Sequence, residues 1–206
     1  TAEVAIGKGI ENVIDFFVLR LATKLAAENR KADLLLGNNV LAHVPNIMDF
    51  VAGMKILLKE TGVITMEFPH LMQLVDNNQF DTIYHEHFSY LSFYTVQQIF
   101  AANGLELFDV DEIPTHGGSL RIYAKHIQDG SKEISGNVAA LLQKEKAKGM
   151  DGMEYYKGFQ QKAFQVKINL LDFLIEQNRA GKKVAAYGAA AKGNTLLNYC
   201  GIKHDL

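Results

Sequence analysis

Two uninterrupted apolar runs flank a stretch of helical periodicity. Leu34-Leu35-Leu36 follows Asp33, Val63 to Phe68 follows Gly62, and between them Phe50, Val51, Met54, Leu57 and Leu58 recur on one helical face. Strands without polar alternation read as buried parallel strands, and a strand–helix–strand unit joins such strands in one sheet. Asn46, with Asp49 three residues on, marks the start of the helix, and Glu60-Thr61-Gly62 marks its end. Upstream, Ala2 to Gly9 reads as a helix end, Asn12 to Phe17 as a short strand and Leu19 to Asn29 as a helix with Leu21 and Leu25 on one face. The rhythm predicts an α/β fold built on a parallel sheet covered by helices.

A helix over Thr95 to Asn103 closes on Gly104, and Leu105 to Ile113 and Ser119 to His126 then read as two strands. The short join Pro114-Thr115-His116-Gly117-Gly118 suits an antiparallel hairpin, so the sheet is expected to end with a reversed strand. From Gln128 to Gly152 the composition turns polar and rich in glycine and lysine, which marks the best boundary. Beyond it come a long helix from about Glu154 to Arg179 and an apolar strand, Val184 to Tyr187, running into Gly188-Ala189-Ala190-Ala191-Lys192-Gly193-Asn194-Thr195. The division expected is residues 1–128 as one α/β unit, 129–180 as linker and long helix, and 181–206 as the opening strand and helix of another. Both ends look cut, since the chain opens on Thr1 and stops just after that strand and helix.

With 206 residues, 48% of them hydrophobic, the chain can bury a real core. Twenty-one basic and 23 acidic side chains leave a net charge of -2, so no broad field favours nucleic acid or an anionic membrane. The absence of a long apolar span or charged leader makes a cytoplasmic location the expectation. A single cysteine, Cys200, rules out an internal disulfide or a multi-thiolate zinc site made by this chain alone.

The run Phe80-Asp81-Thr82-Ile83-Tyr84-His85-Glu86-His87-Phe88-Ser89-Tyr90 packs two imidazoles, two carboxylates and two phenols between a strand and a helix. Burying so many ionisable groups unpaired would cost several kcal/mol each, so the run reads as the polar wall of a cleft. In an extended chain Tyr84 and Glu86 share one face while His85 and His87 share the other, so all four can meet one atom only if the loop bends. Three roles are available there: imidazole as base, neighbouring carboxylate as its support, phenol as donor to an oxyanion. A purely structural run, or a metal site from His85, His87 and His116, are the competing readings.

Ligands of open parallel sheets sit at the carboxyl ends of strands. Asp15-Phe16-Phe17, Asn38-Asn39-Val40-Leu41-Ala42-His43 and Glu67-Phe68-Pro69-His70 all fall at such ends. Asn39 and His43 point over the edge together if the chain turns helically there; the plainer alternative is that they satisfy a loop and cap a helix. His116-Gly117-Gly118 is either a flexible turn or a place where amides approach a ligand. Gly188 to Thr195 resembles a phosphate-cradling strand-to-helix turn, without the Walker pattern, since Lys192 precedes Gly193.

Four motifs occur here in a familiar order: Asn38-Asn39-Val40-Leu41-Ala42-His43-Val44-Pro45, Phe80 to His87, Pro114-Thr115-His116-Gly117-Gly118-Ser119-Leu120-Arg121, and Gly188 to Thr195. With them the chain resembles, over essentially its whole length, the nucleotide-sugar C-methyltransferases that methylate C-3 of dTDP-linked 4-keto deoxysugars. The resemblance implies a partial class I methyltransferase (Rossmann-like) sheet with an antiparallel terminal strand, followed by the start of a second Rossmann-like domain. It implies methyl transfer from S-adenosylmethionine to a sugar carbon through an enolate. His87 would be the base, with Tyr84 and Glu86 assisting. Asn39, His43, His116, Gly117, Lys192, Gly193 and Asn194 would hold the substrate, a small nucleotide sugar. Asp15, Phe16 and Asn38 are candidates for contacts with the methyl donor by their strand-end position alone. Zinc belongs only to a family domain whose cysteines this chain lacks, as it lacks the family's glycine-rich donor loop. A silent nucleotide-binding module and, behind it, a metal-dependent hydrolase remain the alternatives.

Overall fold

The computed structural model describes residues 2–188 and 191–204. The opening helix α1 (Ala2–Gly7) leads through an irregular stretch to α2 (Leu19–Ala27). Then come β1 (Ala32–Asn38), α3 (Ile47–Leu57), β2 (Leu58–Pro69), α4 (Leu71–Asp76), α5 (Phe93–Ala102), β3 (Leu105–Ile113), β4 (Ser119–His126), α6 (Gly136–Ala147), α7 (Phe159–Arg179) and α8 (Ala191–Cys200). Asn46 caps α3 as its sequence implies, Oδ1 accepting from Asp49 N–H at 3.1 Å. Ser92 caps α5, its Oγ accepting from Thr95 N–H at 3.1 Å. Gly104 ends α5 with φ +71, a conformation that suits a residue without Cβ.

The four strands stand in the order β1-β2-β4-β3. β1 runs parallel to β2, while β4 is antiparallel to both β2 and β3. The expected mixed α/β sheet with a reversed last strand is therefore present, and the reversed strand lies between β2 and β3 instead of at the rim. Ile64, Met66 and Phe68 of β2, Leu120, Ile122 and Ala124 of β4 and Leu105, Leu107 and Val110 of β3 meet Phe50, Val51 and Met54 of α3, Phe93, Val96 and Phe100 of α5, and Val138 and Leu141 of α6 in one core. Burying Phe68, Phe93 and Phe100 completely contributes roughly 1.5–3 kcal/mol for each ring.

These helices lie on one face of the sheet. Register pairs Leu36 with Thr65 and Asn38 with Glu67 on β2, then Thr65 with Tyr123 and Glu67 with Arg121 on β4, so the opposite face carries polar groups beside Leu34 and Leu36. Leu34 is 55% and Leu36 66% exposed, which corrects the reading of β1 as a strand buried on both sides. Its apolar run does not alternate, but a helix covers only the face that holds Leu35.

Three other expectations change. Asn12 to Phe17 forms no strand, because among the described residues none pairs with the free edge of β1; Phe17 instead packs edge-on against Phe50 at 5.3 Å. The polar segment after Gln128 is more than a linker, since α6 places Val138 and Leu141 in the core. Val184 to Tyr187 is irregular and exposed, because a lone strand has no ladder to join. So the expected opening strand of a second unit is not formed in these residues, although the helix expected after it, α8, is. Among the described residues no helix is long and apolar enough to cross a membrane.

Candidate active site

Between α4 and α5 the polar run bends. A short 3-10 turn, Phe80–Thr82, is followed by a reverse turn in which His87 N–H donates to Tyr84 O at 3.0 Å. That bend brings together side chains that an extended chain would send to opposite faces. The Tyr84 and His87 ring centroids stand 4.5 Å apart, and Tyr90 lies 5.9 Å from His87.

His87 Nδ1 lies 2.9 Å from the carbonyl oxygen of Thr82. A carbonyl only accepts, so Nδ1 carries the proton and Nε2 keeps its lone pair. Burial pushes the His87 pKa below the ordinary imidazole value; the Thr82 carbonyl and Glu86 oppose this, while His43 and Lys192 reinforce it. A neutral ring near pH 7 with Nε2 free is the state a general base requires. Burial raises Tyr90, which keeps its phenolic proton.

A second loop is laced to this one. Asn39 follows β1 in the left-handed region at φ +52, and its N–H donates to Glu67 O at 2.8 Å. A 3-10 turn, Leu41–His43, supplies the helical bend that brings His43 round. Ala42 O accepts from Phe88 N–H at 2.9 Å and Ser89 N–H at 3.2 Å, and His43 Nδ1 donates to Glu86 O at 2.9 Å. His43 and His87 meet edge to face with centroids 4.7 Å apart. Asn39 Oδ1 is buried with no partner among the described residues, which marks it as an acceptor open to a ligand hydroxyl or amide. Glu86 is exposed; its main-chain carbonyl, not its carboxylate, is the group that touches a site residue.

The third wall is the loop between β3 and β4. Glu67, 7% exposed at the end of β2, accepts from Thr115 Oγ1 at 2.9 Å and from Arg121 at 3.0 Å. Burial raises its pKa, but those two donors prevail and hold it below the usual carboxylate value. His116 adopts φ +55 and Gly117 φ +86, and Gly117 O accepts from Gln79 Nε2 at 2.8 Å. Lys192, in the first turn of α8, reaches within 3.5 Å of His116 O. The packing of Tyr199 on Phe80, 5.0 Å between centroids, carries α8 to this side of the fold. Thus Tyr84, His87, His43, Asn39, His116 and Lys192 gather around one region, while Gly193 and Asn194 are exposed on α8. Ala189 and Ala190, also part of the expected phosphate turn, lie outside the described residues.

Asp15, Phe16 and Asn38 do not assemble a donor site. Asp15 is occupied by Arg20 at 2.8 Å and by Phe16 N–H at 2.8 Å, Phe16 is 87% exposed, and Asn38 is exposed at the end of β1. Without a strand at Asn12 to Phe17 there is no strand end to aim Asp15 and Phe16. His85 is exposed as well, and among the described residues no three His, Cys, Asp or Glu side chains form a metal-binding group. Sequence reasoning did not single out the Thr82 carbonyl, which has no side-chain signal, nor the Glu67–Thr115–Arg121 cluster, whose only signal was a carboxylate at a strand end.

Residues 114–206 match the family model described as the C-methyltransferase C-terminal domain. The chain is 34% identical over 204 residues to C-methyltransferase NovU of Streptomyces niveus, an alignment covering 99% of this chain and 48% of that protein. The chain thus spans about half the length of the curated relative it matches. Among solved structures, a SAM-dependent methyltransferase from Anabaena variabilis aligns at 13% identity with a TM-score of 0.45, over 60% of this chain and 63% of the other. An O-methyltransferase family protein from Burkholderia thailandensis aligns at 14% identity with a TM-score of 0.43, over 60% of this chain and 38% of the other.

Proposed function

We propose, from the similarity of this chain to C-methyltransferases, that its polar loops serve methyl transfer from S-adenosylmethionine to a carbon of a nucleotide-linked keto-deoxysugar, through an enolate. One observation carries the reading. His87 holds its proton on Nδ1 against the Thr82 carbonyl and offers Nε2 as a free base beside the Tyr84 phenol.

A hydrogen on the carbon next to a ketone is weakly acidic, and removing it needs a base above that carbon and donors at the ketone oxygen. His87 Nε2 takes the proton, and the resulting imidazolium is held by its Nδ1–H bond to Thr82. Tyr84 donates to the developing oxyanion. Asn39 Oδ1, buried and unpartnered, accepts from a sugar hydroxyl. Lys192 offsets the charge of the pyrophosphate. S-adenosylmethionine supplies a methyl group already activated on a sulfonium, so the protein needs no further electrophile. No role in this scheme is routed through Asp15, Phe16 or Asn38.

His87→Asn in the full-length protein tests the proposal. Methyl transfer and solvent exchange at the carbon beside the ketone should both be lost while sugar-nucleotide binding persists; unchanged exchange removes His87 as base. The exposed Phe16 and the edge of β1, unpaired among the described residues, favour a second reading for residues 1–206 in isolation, namely nucleotide-sugar binding without turnover. Tight binding of the methyl donor to this chain, measured by calorimetry, would contradict that second reading.

A further inference from the structure

On α6, far in sequence from the polar run, Glu145 is 3% exposed and accepts from three donors. His70 Nε2 lies 2.7 Å from Oε1, Phe93 N–H donates to Oε1 at 2.6 Å and Tyr94 N–H to Oε2 at 2.9 Å. His70 directly precedes α4, and Phe93 opens α5. One carboxylate therefore joins both ends of the excursion, residues 71–92, that carries Tyr84, His87 and Tyr90. Ser92 caps only Thr95 N–H at the start of α5, so Glu145 satisfies two further donors there, and its bond to His70 is the one that reaches the other end.

Other contacts converge on the same clasp. Leu71 N–H donates to Leu91 O at 3.0 Å, closing the excursion at its base, and His70 N–H donates to Gly118 O at 3.1 Å, tying in the loop of His116. Lys148, just beyond α6, holds Asp76 at the end of α4 at 2.6 Å. A buried carboxylate with several hydrogen bonds holds its donors to a narrow geometry, because loss of any one leaves a desolvated charge under-solvated.

We propose that Glu145 is a positioning residue for His87: it fixes the two ends of the catalytic excursion and so sets where Nε2 stands over the substrate. This rests on the methyltransferase reading for its chemical meaning, but the geometry it asserts can be tested without turnover.

The test compares the intact chain with Glu145→Gln, in which an amide must face one of three donors, and with His70→Gln, which removes one donor and keeps the carboxylate. The nitrogen resonances of His87 are followed by NMR through a pH titration, against the charges around it, His43, Glu86, Tyr84, Tyr90 and Lys192. Loosening the excursion exposes the ring, so its midpoint should rise toward the ordinary imidazole value by about half a unit or more in Glu145→Gln. In the full-length protein kcat should fall on the order of tenfold or more with KM little changed. A folded variant, by its amide spectrum, whose His87 midpoint equals that of the parent overturns the proposal. If Glu145→Gln does not fold, His70→Gln decides on the same criterion. A shifted midpoint in a protein whose parent transfers no methyl group sinks the methyltransferase reading and leaves the clasp standing.

Discussion

His43 and His87 approach edge to face at 4.7 Å, and each commits Nδ1 to a main-chain carbonyl, Glu86 O for the first and Thr82 O for the second. Both rings therefore keep Nε2 as the nitrogen free for chemistry. Protonating one disfavours protonating the other, and His43 is among the charges that lower His87.

The pH dependence follows from that sign. A depressed pKa leaves His87 neutral above it, so kcat/KM should rise with pH along a limb whose midpoint lies below the ordinary imidazole value of 6.5. Stability moves the same way: the unfolded chain binds a proton there before the folded one does, so this group costs stability as pH falls through that window. His43→Asn should move the kinetic midpoint upward. A midpoint unchanged or lowered in that variant would show that His43 does not act on His87 electrostatically.

Tyr84→Phe keeps the ring beside His87 and removes only the hydroxyl. If the phenol donates to the enolate oxygen, kcat should fall by about 10²–10³, with the unfolding midpoint in urea nearly unchanged. A normal kcat would reassign Tyr84 to packing.

Lys192 stands next to the His116 carbonyl at the start of α8, exposed enough for salt to screen it. Lys192→Ala should weaken nucleotide-sugar binding about 3–10-fold in low salt, with the difference shrinking at high ionic strength. Calorimetry at two salt concentrations reads this directly, and a salt-independent loss would point to a different role.

Phe100 is fully buried where α5 meets β3. Phe100→Ala should lower unfolding free energy by about 3–5 kcal/mol, the range for deleting a core ring. Equilibrium denaturation measures it; a loss under 1 kcal/mol would mean that the core collapses into the space.

Much of the architecture was legible because periodicity is local. Leu105 to Ile113 and Ser119 to His126 coincide with β3 and β4, Asn46 caps α3, and Gly104 closes α5. The misread strands have one source. Asn12 to Phe17, Leu34 and Leu36, and Val184 to Tyr187 all carry an apolar pattern, but a strand exists only where a partner completes its hydrogen bonds, and it is buried only where another element covers it. Neither condition is written in the strand itself.

The amino-acid order alone determined which groups are available for chemistry: an imidazole-rich run between strand and helix, an asparagine and histidine after a strand, a lysine before a helix. Tertiary structure decided which of them meet. The turn at Tyr84 and the carbonyls of Thr82 and Ala42 set the facing rings and the free nitrogen, and Glu145 joins groups distant in the chain. Main-chain donors and acceptors are the same at every residue, so no side-chain pattern could announce those bonds; only the folded path of the backbone brings their partners within reach.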